Sequence, residues 1–188
     1  MIDTEVKKAG AILKSGGIIL YPTDTIWGIG CDASRQESVQ NIYQIKQRAD
    51  SKSMLVLVNG ITMLEEYIDS LPLQAIEIIE KAEKPTTIIY PGARNLANNL
   101  LAPDGSIGIR ITSDPFCRRL IDFIGFPIVS TSANISGESS PLSFQKIKSP
   151  IHQQVDHVVN WRQDETVASS PSAIIKLEED GTITTLRS

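Results

Sequence analysis

Residues 18–30 read IILYPTDTIWGIG. Ile18 to Tyr21 is a short apolar run leaving the Gly16-Gly17 pair, as a strand would leave a glycine turn. It feeds a turn that carries two threonines, an acid, an indole and two glycines. A buried strand end needs few hydrogen-bonding groups, so this surplus implies that the turn holds something. The run also decides the fold reading, because strand-like and helix-like segments alternate on either side of it.

Working outward, Asp3 or Thr4 can cap a helix with Val6, Ala9, Ile12 and Leu13 on one face, stopped by the glycine pair. After the turn, Ser34 to Glu37 reads SRQE, a capping box for a second helix. Val39, Ile42 and Tyr43 form its apolar face, and Lys46, seven residues after Val39, shares that inward side. The run MLVLV at 54–58 fits a strand buried on both faces. Helical patterns follow at 61–69 and 73–83, broken by Pro72. TTIIY at 86–90 and SIGIRI at 106–111 are strands. At 114–125 Asp114 caps a helix, Pro115 opens it and Gly125 ends it. PIVST at 127–131 is a strand running into SANISG, and 136–154 reads as a long polar loop with some helix. Residues 173–187 read as a hairpin about Asp180-Gly181. The expected fold is a single α/β domain over 1–188, an open twisted mixed sheet with flanking helices. Parallel neighbours are expected where helices intervene, antiparallel ones at the last hairpin.

Composition removes several classes of function. The chain has 188 residues and a net charge of -4, from 18 basic against 22 acidic residues, which argues against a bulk polyanion binder. Cys31 and Cys117 stand far apart, so neither a disulfide framework nor a zinc site is implied. With only His152 and His157 present, a histidine-rich metal site is not expected. The N-terminus lacks a signal-peptide core, and no apolar run approaches about 18 residues, so a cytoplasmic protein without a membrane span is expected.

Four clusters carry candidate chemistry. They are the turn with Thr23, Asp24, Thr25 and Trp27; KQR at 46–48; Ser106 with Arg110, on one face of a strand; and STSANISG at 130–137. Lys and Arg supply fixed positive charge, the hydroxyls and Asn supply hydrogen bonds, and glycine turns let backbone N–H groups approach an anion. Such a set suits a polyanionic ligand such as a nucleoside triphosphate. Neither GxxxxGK[ST] nor GxGxxG occurs, and no nucleophile–base pair is visible. Each cluster also has a purely structural reading. The PTDT turn can be ordinary turn chemistry, KQR a solvated helix end, Arg110 half of a structural ion pair and STSANISG a loop. Trp27 reads as a packing residue of a pocket wall, and both cysteines as small buried hydrophobes.

In order along the chain, YPTDTIWGIGCDA, IYQIKQRADSKSMLVLV, SIGIRI and PIVSTSANISGESSP resemble the YrdC/Sua5 family of threonylcarbamoyl-AMP synthases, over roughly residues 5–187. The family's KxR…SxN set is matched by Lys46, Arg48, Ser132 and Asn134. The resemblance implies an open α/β sheet with a large, positively lined concave cavity. It implies a reaction that turns L-threonine, bicarbonate and ATP into threonylcarbamoyl-adenylate and pyrophosphate. The product would pass to a threonylcarbamoyl transferase complex acting on tRNA, and double-stranded RNA binding is an implied property. By position, Thr23, Arg110 and Ser130 would meet threonine, with Arg110 on its carboxylate. Lys46 and Arg48 would serve the phosphates and catalysis, and Asp50, Ser106, Ser132, Asn134, Ser140 and Arg187 would meet ATP. Mg2+ would arrive with ATP, with no protein ligand assigned. The chain departs from the family at Trp27, where a tyrosine is usual, and at Ser53-Met54, where Pro-Leu is usual. It lacks the Pro-Gly that usually follows the late arginine, and it resembles the single-domain type. The competing reading is an RNA-binding or regulatory paralogue of the same fold without synthase activity.

Overall fold

Tyr21 lies opposite Gly28, because the opening stretch folds into an antiparallel hairpin of β1 (Ile19–Tyr21) and β2 (Gly28–Gly30). The computed structural model describes residues 1–47, 54–165, 170–178 and 180–188. Around the hairpin the chain supplies α1 (Ile2–Lys14), α2 (Gln36–Lys46), β3 (Leu55–Val58), α3 (Ile61–Glu66), α4 (Leu73–Lys81) and β4 (Thr86–Tyr90). There follow β5 (Ile107–Ile111), α5 (Pro115–Ile124), β6 (Ile128–Ser132), α6 (Ser149–Gln154), β7 (His157–Val158), β8 (Ala173–Leu177) and β9 (Ile183–Arg187). The strands form one open mixed sheet in the order β7-β1-β2-β6-β3-β5-β4-β8-β9.

The parallel pairs are β1 with β7, β3 with β5 and β4 with β8, none consecutive in sequence. Consecutive strands that do touch, β1–β2, β4–β5 and β8–β9, are all antiparallel. Helices intervene along the chain within each parallel pair, as expected, but no single helix joins one. Helix α5 leads from β5 to β6, but β3 lies between them in the sheet.

Period-two alternation sorts the strand side chains onto two faces. Ile19, Tyr21, Leu57 and Ile128 meet α1 and α5 through Val6, Ala9, Leu13, Phe116, Leu120 and Ile121. On the other face Leu20, Ile29, Val56, Val58 and Val129 meet Val39, Ile42 and Tyr43 of α2. Helix α5 forms as its sequence dictates, with the Asp114 carboxylate accepting the Cys117 N–H at 2.9 Å and Gly125 closing it at φ +80. Two other caps differ from expectation. Helix α1 begins at Ile2, ahead of Asp3 and Thr4. The SRQE box does not form, because the Ser34 hydroxyl donates to Asp32 at 2.7 Å and Arg35 becomes the cap of α2. Among the described residues no helix is long and apolar enough to cross a membrane.

Candidate functional site

Helices α1 and α5 cover only part of their sheet face. Beyond them the same face carries a cleft of about 250 Å³. Strand register explains its floor: Ser130 of β6 lies opposite Leu55 of β3, and Ser132 opposite Gly28 of β2. Gly108 of β5 continues the floor beside Ile89 of β4. The two glycines keep it low. A Cβ on Gly28 would stand 3.3 Å from Ser130 Oγ, and one on Gly108 would stand 3.2 Å from the Thr87 methyl. Thr25, Trp27, Thr131, Ser140, Ser172, Arg110 and Arg187 rise around this floor. The Trp27 ring is backed by Phe144, with centroids 4.7 Å apart, and Phe144 meets His152 edge-on at 5.2 Å.

Two arginines supply the positive charge. Arg110 is buried on β5, where its Nη2 donates to Asp24 Oδ1 at 2.9 Å and to Thr25 Oγ1 at 3.3 Å. Asp24 also accepts the Ser113 N–H at 3.3 Å. Thr23 Oγ1 accepts the Thr25 N–H at 3.0 Å and donates to the Ile26 carbonyl at 2.8 Å. The one proton of the Thr23 hydroxyl is spent on the Ile26 carbonyl, so the 3.0 Å contact between the two threonine hydroxyls runs from Thr25 to Thr23. The turn is thus a directed chain from Arg110 through Thr25 and Thr23 to a backbone carbonyl. Arg162 clasps it from outside, donating to the Thr23 carbonyl at 3.3 Å and to the Asp114 carboxylate.

Arg187, on the last strand, is anchored by its Nε on the Ser172 carbonyl at 2.7 Å. Burial, then the positive charge of Arg110, lowers its pKa from the ordinary arginine value. The guanidinium groups therefore feel each other across the cleft, an arrangement that an anion between them relieves. The Thr87 and Ser172 hydroxyls share a 2.8 Å hydrogen bond on the same wall. Both thiols are buried, and burial pushes their pKa values up, which takes them away from nucleophilic chemistry.

The cleft gathers Arg110, Ser130, Ser132, Ser140 and Arg187 from the residues singled out in the sequence. Thr23, Lys46, Ser106 and Asn134 stand outside its lining. Thr23 lies behind Thr25, its hydroxyl spent within the turn. Ser106 donates to Asp104 at 2.6 Å. Asn134 donates to the carbonyls of Ile135 and Glu138, at 3.0 and 2.8 Å, and so shapes the SANISG turn. Lys46 is buried with its ammonium on the carbonyls of Ser132 and Asn134, the latter at 2.7 Å. Arg48 and Asp50 lie outside the described residues. Sequence reasoning placed Asp24 and Thr25 in the turn cluster but not as partners of Arg110, and it passed over Thr87 and Ser172 as wall residues. No local signal marks the last two, since Thr87 is one of two threonines opening an apolar strand and Ser172 one of several serines in its stretch of sequence.

The Sua5/YciO/YrdC family profile, described as telomere recombination, matches residues 11–188. A threonylcarbamoyl-AMP synthase of Pseudoalteromonas translucida is 33% identical over 161 residues, covering 84% of this chain and 86% of the relative. One of Psychromonas ingrahamii is 35% identical over 148 residues, covering 77% and 78%. The fold is similar to that of P. abyssi Sua5 complexed with L-threonine, with a TM-score of 0.85 at 21% identity. That match covers 97% of this chain and 53% of the solved one.

Proposed function

The chain belongs to the Sua5/YciO/YrdC family, and from that premise we propose that it is an L-threonylcarbamoyladenylate synthase. The observation that carries the reading is the cleft itself, where Arg110 and Arg187 converge on a glycine-floored surface rimmed with hydroxyls. The relatives that are 33–35% identical over most of both lengths bear the name of that activity.

In this reaction the threonine nitrogen adds to the carbon of CO2 and loses a proton, giving a carbamate; from bicarbonate the same bond forms with loss of water. A carbamate oxygen then bonds to the α-phosphorus of ATP as the bond to the bridging β-phosphate oxygen breaks, and pyrophosphate leaves. Such a transfer depends on positioning and on charge stabilisation rather than on a protein nucleophile. Arg110 takes the threonine carboxylate, with the Ser130 and Thr25 hydroxyls beside it and Thr23 holding Thr25 in place. Arg187 meets the nucleotide together with Ser132 and Ser140. Lys46 and Asn134 fix the backbone of that serine loop, Ser106 fixes the approach to β5, and Arg48 and Asp50 keep the phosphate-side roles that the family implies.

Mg2+ is proposed to enter on the triphosphate, where it would neutralise charge as pyrophosphate departs. Asp24, which pairs with the cleft-lining Arg110, is engaged by that arginine and by the Ser113 N–H and is not offered to a metal ion. The adenylate is proposed to serve a transferase complex that modifies tRNA in the cytoplasm. The test is pyrophosphate release from ATP, omitting threonine, bicarbonate and Mg2+ in turn. Release should need all of them, and release indifferent to threonine overturns the reading.

A further inference from the structure

Arg110 is not offered to the cleft as a bare cation. Its side chain is 2% exposed and that of Asp24 6%, and their Nη2–Oδ1 distance is 2.9 Å. The second oxygen of Asp24 is held by the Ser113 N–H, two residues past the end of β5. The carboxylate is therefore pinned to the exit of the strand that carries the arginine. Thr25 Oγ1 takes a second bond from the same Nη2. Two contacts on Nη2, one of them to a carboxylate itself held by Ser113, thus define one edge of a planar fork that lines the cleft.

A buried arginine without a counter-ion would capture any small anion, since an uncompensated buried charge is strongly unfavourable. With Asp24 in place the field is partly cancelled, and only a ligand with further contacts in the cleft gains enough to stay. We propose that Asp24 is the positioning residue of the carboxylate clamp, orienting Arg110 toward the substrate and giving it selectivity for an amino acid over a simple monocarboxylate. The inference rests on the synthase reading above. Asp24 itself touches no reacting atom and acts through Arg110.

The test is a double-mutant cycle on the full chain with Asp24→Asn, Arg110→Gln and both together, read by pyrophosphate release. Loss of a charge-assisted hydrogen bond predicts a threonine KM raised about tenfold in D24N, with kcat and the ATP KM within about twofold. Acetate should inhibit the wild type weakly and D24N more strongly. The double variant should have the same threonine KM as R110Q, because Asp24 then has nothing to orient. A folded D24N with unchanged threonine KM overturns the proposal, as does a double variant worse than R110Q. If D24N is too unstable to assay, Asp24→Glu decides instead, because it keeps the charge but moves the carboxylate by one methylene: a threonine KM raised several-fold supports the proposal and an unchanged one overturns it. A wild type that ignores threonine overturns the synthase reading and this inference with it. A threonine-dependent wild type with an unmoved D24N overturns the role of Asp24 alone.

Discussion

The ammonium of Lys46 has three protons and nothing to accept with, and it is turned onto the carbonyls of Ser132 and Asn134. The Ser136 N–H returns a bond to the Lys46 carbonyl at 2.8 Å, so the end of α2 and the serine loop are stitched in both directions. Replacing Lys46 by Met keeps the volume but removes its bonds to both carbonyls; the Ser132 carbonyl keeps the Asn134 N–H at 2.9 Å, while the Asn134 carbonyl loses the ammonium. This should cost about 2 kcal/mol and lower the Tm by roughly 4–8 °C, as thermal unfolding would record, while adenylate formation falls with the loop's geometry. A Tm unchanged by Lys46→Met would mean that the brace contributes nothing. The inward direction of Lys46 was legible from its spacing to Val39 on one helix face. Its partners were not, because they lie 86 and 88 residues away. Arg110 follows the same logic: a charge within an apolar strand demands a partner, yet nothing local to SIGIRI names Asp24.

At the level of elements, β2 is three residues long with one apolar side chain, which leaves too little pattern for sequence to reveal it. Its glycines are what the packing needs. A Cβ on Gly30 would stand 2.5 Å from the Val129 carbonyl oxygen and 2.6 Å from the Tyr21 ring. Tyr21 crosses that space to donate its hydroxyl to Val129 at 3.1 Å. Gly30→Ala should therefore destabilise the fold by about 1–3 kcal/mol, read as a lower urea midpoint with an unchanged m-value. Strand β3, four apolar residues long, was legible because burial on both faces leaves no polar position to confuse it, and β4 and β6 were legible from their β-branched residues. Sheet order was not legible, since no pattern along the chain records that β3 slips between β5 and β6. The SRQE signature misled because Asp32, two residues earlier, competes for the serine hydroxyl.

Across the whole molecule, the first helix is tied to the far edge of the sheet by one carboxylate. Glu5 accepts from Asn160 N–H at 2.9 Å and from Lys8 at 2.9 Å, and it meets His157 Nε2 at 3.2 Å. Burial pushes its pKa up, but these donors outweigh burial and hold it below the usual carboxylate value. A folded value below the unfolded one contributes stability that is complete above the unfolded pKa and is lost as pH falls through the folded one. Glu5→Gln should accordingly flatten the acid limb of a Tm-against-pH curve below about pH 5, and an equally steep limb would refute the linkage. The cleft is likewise a product of long range, drawing Trp27 from the first hairpin and Arg187 from the last strand onto one sheet face. The chain holds two tryptophans, and they sit in unlike places: Trp161 packs beside the α1–α5 layer, Trp27 on the cleft wall against Phe144. With Trp161→Phe, ultraviolet emission would come from the single indole that borders the ligand space, so the protein carries its own optical gauge of whatever fills it.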